Sequence, residues 1–169
     1  MRSKSNCLKK GVKMNEYFVS NRDVIKNFSF NTGTTSTPVY TTMCTATELS
    51  LNTDFNEQTF SVFCDALQRS IKTGVAMTIE GTIKIDVNNV AIQKVLGDVG
   101  TLISSGTISQ FNNQMVKFDL LTGVNNSTLE YTTYTCNVSY QLESLGGSAE
   151  DVGEFAITMT INGTGTASA

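Results

Sequence analysis

Hydrophobic and polar residues alternate most regularly along VAMTIEGTIKIDV. There Val75, Met77, Ile79, Ile83 and Ile85 fall on one side of a period-two ladder, and Thr78, Glu80, Thr82, Lys84 and Asp86 on the other. The pattern predicts a strand with one face in a core and the other wet. The period changes directly afterwards. In NNVAIQKVLGDVG, Ala91, Ile92, Val95, Leu96 and Val99 form a single helical stripe, with Asp86, Asn88 or Asn89 available as N-cap and Gly100 as C-cap. The spacing predicts a helix over 86–100, and a lone apolar stripe needs a sheet to lie against.

Every other periodic segment reads as strand. Val24, Lys26, Phe28 and Phe30 start an alternation that ends in the turn-rich NTGTTSTP, and VYTTMCTATELSL, from Val39 to Leu51, is rich in β-branched and aromatic residues. TLISSGTISQFNNQ predicts a short strand running into an Asn-rich turn. Val116, Phe118 and Leu120 alternate again, as do Tyr134, Cys136, Val138, Tyr140 and Leu142, and then Phe155, Ile157, Met159 and Ile161 before a small, polar tail, GTGTASA. Residues 52–73 show no clear period and predict a long irregular loop. Its aromatics, Phe55, Phe60 and Phe63, are candidate subunit-interface residues, because an aromatic excursion of that length packs either on its own sheet or on a neighbouring subunit. Seven or eight strands and one good helix predict a mainly β fold: an antiparallel β-sandwich or partly closed barrel with one flanking α-helix.

Composition bounds the rest. A chain of 169 residues with 40% hydrophobic residues suits one well-buried domain. No apolar run reaches the about 18 residues that a membrane-spanning helix needs, and the N-terminal segment lacks the apolar stretch of a secretory signal. Five of the 12 basic residues, Arg2, Lys4, Lys9, Lys10 and Lys13, precede Met14, leaving 7 against 15 acidic ones from there on, a net of −8. Residues 1–14 are therefore set apart as a basic leader: either a flexible arm, or a mis-called start ahead of initiation at Met14. An acidic body argues against binding nucleic acid by phosphate neutralisation. Charged residues make up only 16% of the chain, below the usual quarter, which suits sides that become interfaces.

Candidate chemistry is sparse. The chain has no histidine, and its cysteines, Cys7, Cys44, Cys64 and Cys136, lack the paired spacing of a zinc site and read as buried free thiols. No nucleophile elbow, phosphate-binding glycine loop or calcium-loop spacing occurs. The expectation is a non-enzyme with no catalytic, metal or cofactor-binding residues and no cofactor.

From residue 15 to residue 169 the order of parts resembles the tail tube, or major tail, proteins of long-tailed bacteriophages. The resemblance lies in the strand from Val39 to Leu51, the excursion over 52–73, and TGVAMTIEGTIKID running into VNNVAIQKVLGDV. It continues through KFDLLTG, YTTYTCNVSYQLES and the closing FAITMTING. It implies a structural virion protein whose copies form hexameric rings, stacked through the long loop and terminal arms into a hollow tube. DNA would pass through that lumen at ejection without specific binding. The implied partners are other copies and other phage tail proteins, with no membrane insertion, and the place of action is the virion, after assembly in the host cytoplasm. Readings of other kinds are an adhesive or carbohydrate-binding β-sandwich module, and a tube-like baseplate or tail-completion protein. The first usually offers exposed Trp or Tyr platforms and an export signal, and this chain has no Trp.

Overall fold

A computed structural model of the chain describes residues 19–20, 23–60, 69–125 and 128–168. The basic leader, Phe63, Cys7 and Cys64 lie outside the described residues. Among the described residues seven strands are present: β1 (Ile25–Asn31), β2 (Tyr40–Thr42), β3 (Ala46–Phe60), β4 (Arg69–Lys84), β5 (Gln114–Asn125), β6 (Thr128–Gly146) and β7 (Glu154–Ser168). Between β4 and β5 lie two helices, α1 (Val90–Ser105) and α2 (Ser109–Asn112). The strands form one antiparallel sheet in the order β2-β1-β5-β6-β7-β4-β3.

The sheet does not lie flat, because its two edge strands, β2 and β3, are joined by Met43, Cys44 and Thr45 alone. Four Cα steps from Thr42 to Ala46 reach at most about 15 Å. The sheet must therefore curl until its edges approach. Backbone bonds stitch the seam: the Met43 N–H donates to the Phe28 carbonyl at 2.8 Å and the Lys84 N–H to the Thr45 carbonyl at 3.1 Å. The result is a partly open sandwich whose concave face is the core. The segment from Val39 to Leu51 is accordingly two strands rather than one, since the chain crosses there from one edge of the sheet to the other. Met43 is buried in the crossing, and Cys44 is exposed rather than buried.

Register places the expected apolar positions side by side. Phe30 lies opposite Val116 and Val116 opposite Cys136; Tyr140 is opposite Met159, Met159 opposite Ile79, and Phe155 opposite Ile83. Ile79, Ile83, Val116, Val138, Phe155 and Met159 are fully buried. Gly81 sits in the same layer because a Cβ there would come within 2.9 Å of the Leu49 side chain. In β1 the alternation changes phase. Ile25, Phe28 and Phe30 point inward while Val24 is exposed, because a register shift between Lys26 and Ser29 puts Asn27 at φ 51°. The Asn27 amide donates to Asp119 Oδ2 at 2.7 Å, which anchors that irregular position.

Helix α1 lies on the core face with Ala91, Ile92 and Val95 buried. Asn89 is its N-cap. The Asn89 Oδ1 accepts from the Ala91 N–H at 2.9 Å while its Nδ2 donates to the Thr42 carbonyl at 2.8 Å, so one side chain both starts the helix and ties it to β2. The helix does not stop at Gly100 but runs to Ser105 and ends on Gly106 at φ 68°. A helical glycine costs about 1 kcal/mol without ending a helix, and termination needs the left-handed conformation that Gly106 adopts. Residues 101–112, expected as a short strand, thus complete α1 and form α2. Phe111 packs on Tyr140 at 4.8 Å, and the Tyr140 hydroxyl donates to Asp98 Oδ2 at 2.5 Å. Burial, reinforced by that neighbouring carboxylate, pushes the Tyr140 hydroxyl well above the usual phenol range. Burial likewise raises the Cys136 thiol.

Residues 163–168 of the terminal GTGTASA segment are also strand rather than tail. β7 continues through them, past Gly163 at φ 79°, and pairs with Thr133, Tyr134 and Thr135.

Two substitutions test this core. Ile83→Asp places an unpaired carboxylate at a fully buried position, a cost of several kcal/mol against a domain stability of about 5–15 kcal/mol, so the subunit is expected to yield no cooperative unfolding transition. Glu80→Lys, on the opposite face, is expected to change stability by no more than about 0.5 kcal/mol. Normal melting of the Ile83→Asp protein would mean that the wrong face has been assigned to the core. Tyr140→Phe removes a hydrogen bond to a charged group and is expected to cost about 1.5–3 kcal/mol in denaturant unfolding.

Candidate assembly interface

Residues 52–60 and 69–73 are not an irregular loop but the outer part of the β3–β4 hairpin. β4 pairs with β7 only from Thr78 to Lys84, so residues 69–77 have β3 as their sole partner strand among the described residues. Nine residues at about 3.4 Å each make a two-stranded arm roughly 30 Å long beyond the last β4–β7 pair. Residues 52–60 and 69–76 are all exposed. That exposure explains the missing period in the sequence: a ribbon wet on both faces carries no inside–outside alternation for a hydrophobic pattern to report.

The arm brings two of the three candidate aromatics together but on opposite faces. Phe55 pairs with Val75, in phase with the core face, and each is nearly half exposed. A register shift follows between Asn56 and Glu57. Phe60, five residues along the same strand from Phe55, faces the other way, opposite Arg69, and Gln58 lies opposite Ile71 on that same side. Phe55 is partly covered, because the Lys72 ammonium sits 3.9 Å from its ring centroid. Phe60 and Ile71 remain 44% and 50% exposed. Sequence reasoning missed Ile71 and Lys72, for which the β-branched residues of RSIKTGV were the available signal, and it placed Val75 on a core face, where the structure leaves it nearly half exposed.

The rest of the surface divides sharply. On the solvent face of β3, β4, β6 and β7 lie Glu48, Ser50, Glu80, Thr82, Thr158 and Glu143, lining an open cleft of about 1100 Å³ whose far wall includes Asp23, Lys26 and Thr42. Glu143 accepts hydrogen bonds from Gln141 and Thr158, and these hold its carboxyl below the usual range. Lys84 is the only basic residue in stretches 46–51, 78–84, 137–146 and 154–161, and it is paired with Glu154 at 2.5 Å. The face is therefore acidic and threonine-rich. The outer edge of β3 has no partner strand among the described residues and offers its backbone groups along its length. Among the described residues no three His, Cys, Asp or Glu are placed to hold a metal ion, and no helix is long and apolar enough to cross a membrane.

No protein-family model matches the chain, and no curated protein sequence does. Solved structures do match. The tail of an empty GTA particle, refined with C6 symmetry, superposes with a TM-score of 0.54 over 85% of this chain and 97% of the other, at 8% identity. The SPP1 tail tube gives 0.54 over 85% of this chain and 75% of that one, at 16% identity. The sheath–tube complex of PVC, an extracellular contractile injection system, gives 0.50 over 99% of both chains at 11% identity. At such low identity the likeness is one of architecture. The chain has the fold of tail tube proteins.

Proposed function

We propose that the chain is a structural subunit of a phage tail tube, acting by assembly rather than catalysis. Copies join in hexameric rings, the rings stack into a hollow tube, and DNA passes through the lumen at ejection. The observation that carries this reading is the β3–β4 arm. A two-stranded ribbon is marginally stable in water on its own, and this one exposes Phe55, Phe60, Ile71 and Val75. Such an arm calls for a neighbouring copy to cover it. Contacts between unlike patches on identical copies either close a ring or propagate along an axis, which is how one subunit type builds a tube. The C6 symmetry of the GTA tail supports a ring of six here.

The acidic face supports the second half of the reading. Carboxylates at Glu48, Glu80 and Glu143, directed into a lumen, repel phosphate and let DNA slide without adhering. The implied setting is the phage tail, with assembly in the host cytoplasm alongside other tail proteins. The candidate interface residues are Phe55 and Phe60 on the arm, together with Phe63.

Concentrated protein is expected to form six-fold rings or hollow tubes in negative-stain micrographs and to elute above monomer size on gel filtration. A strictly monomeric species at high concentration would overturn the proposal. Serine at Phe55, Phe60 and Phe63 together is expected to abolish stacking. For the exposed pair, Phe55 and Phe60, subunit stability should change by less than about 1 kcal/mol each. Loss of about 3–5 kcal/mol at either of those two would mark it as a core residue instead.

A further inference from the structure

At the other end of the sheet the structure holds an apolar groove that neither the core nor the arm accounts for. It measures about 470 Å³ and lies between the last turns of α1, α2 and the C-terminal half of β6, lined by Val99, Leu102, Ile108, Phe111, Leu142 and Leu145. Ile108 is 60% exposed and Leu145 48%.

Its position relative to the arm follows from the register. Leu145 lies opposite Phe155, which lies opposite Ile83, near the end of β4 where the helix begins. The arm leaves the sheet at Thr78 and runs the other way to Arg69. Arg69, the far end of the described arm, is fourteen positions along the strand from Ile83, or roughly 45 Å. An exposed apolar projection and an exposed apolar groove thus stand at opposite ends of the same strand axis. Phe55 is already covered in part by Lys72, which leaves the Phe60–Ile71 side as the uncommitted apolar face.

We infer that the Phe60–Ile71 face of the arm of one copy seats in the groove formed by α1, α2 and β6 of the next copy along the tube axis. This rests on the tube reading and specifies its stacking contact. Because projection and groove face opposite ways along one axis, each copy occupies one neighbour and receives another. The contact is head-to-tail and propagates without closing.

A mixing experiment tests the pairing in assembled protein. In a background with Cys7, Cys44 and Cys64 changed to Ser, protein carrying Ile71→Cys is mixed with protein carrying Leu145→Cys, allowed to assemble and oxidised. A disulfide-linked heterodimer is expected from this mixture. None is expected when Ile71→Cys is mixed with Val124→Cys, which places a thiol on an exposed residue at the arm's own end of the molecule. The double variant Ile108→Arg with Leu145→Arg is expected to give rings that do not stack. Normal tubes lacking the Ile71–Leu145 cross-link, or normal tubes from the double arginine variant, would overturn the groove assignment while leaving the tube reading in place. Absence of rings and tubes from the unmodified protein would overturn both.

Discussion

Three residues, Met43, Cys44 and Thr45, hold the architecture together by joining the first edge of the sheet to the last. With so short a link the seven strands cannot spread into an open sheet. They curl, and the curl makes one face concave enough for Phe30 on β1 to meet Tyr140 on β6 at a ring separation of 5.4 Å. The helix then closes that concavity, placed there by Asn89, which caps α1 and binds the Thr42 carbonyl beside the link. Core, helix position and seam are consequences of one constraint.

The same constraint sets what remains outside. β3 emerges from the link as an edge strand, and where its antiparallel partner β4 precedes Thr78 no third strand among the described residues pairs with them. The arm is thus continuous with a core strand of the body: Ile79 and Ile83 are fully buried, while Val75, four residues from Ile79, is nearly half exposed. A load on the arm passes directly into the core through unbroken backbone. The rigid end of one strand anchors a surface whose own stability depends on a partner.

Much of the body was legible in the chain. The inward sets Ile79 and Ile83, Val116 and Phe118, Cys136, Val138 and Tyr140, and Phe155, Ile157 and Met159 all appear as period-two patterns, because each lies on a strand with one wet face and one dry face. The failures have specific causes. Residues 52–60 carry no pattern because neither face is buried. Gly100 was a plausible stop, but a glycine ends a helix only where the backbone turns left-handed, and that occurs at Gly106. The bulge at Asn27 shifted the phase of β1, so Ile25 and not Val24 faces the core. The aromatics of the arm were visible as candidates, but their division between two faces depends on a strand pairing that no single segment encodes. The groove beside α2 was hidden for a related reason: Leu145 and Ile108 are far apart in the sequence and meet only once α1 has run its full length.

Hydrogen–deuterium exchange followed in the free subunit and in the assembled particle addresses the central claim most directly, which is that the β3–β4 arm is an assembly element completed by a neighbouring copy. Amides of residues 52–60 and 69–77 are expected to exchange rapidly in the free subunit, at the low-stability end of local unfolding, and to become strongly protected on assembly. Those of β6 around Val138 should be protected equally in both. An arm already as protected as β6 in the free subunit, or one left unprotected in the assembled particle, would contradict the account.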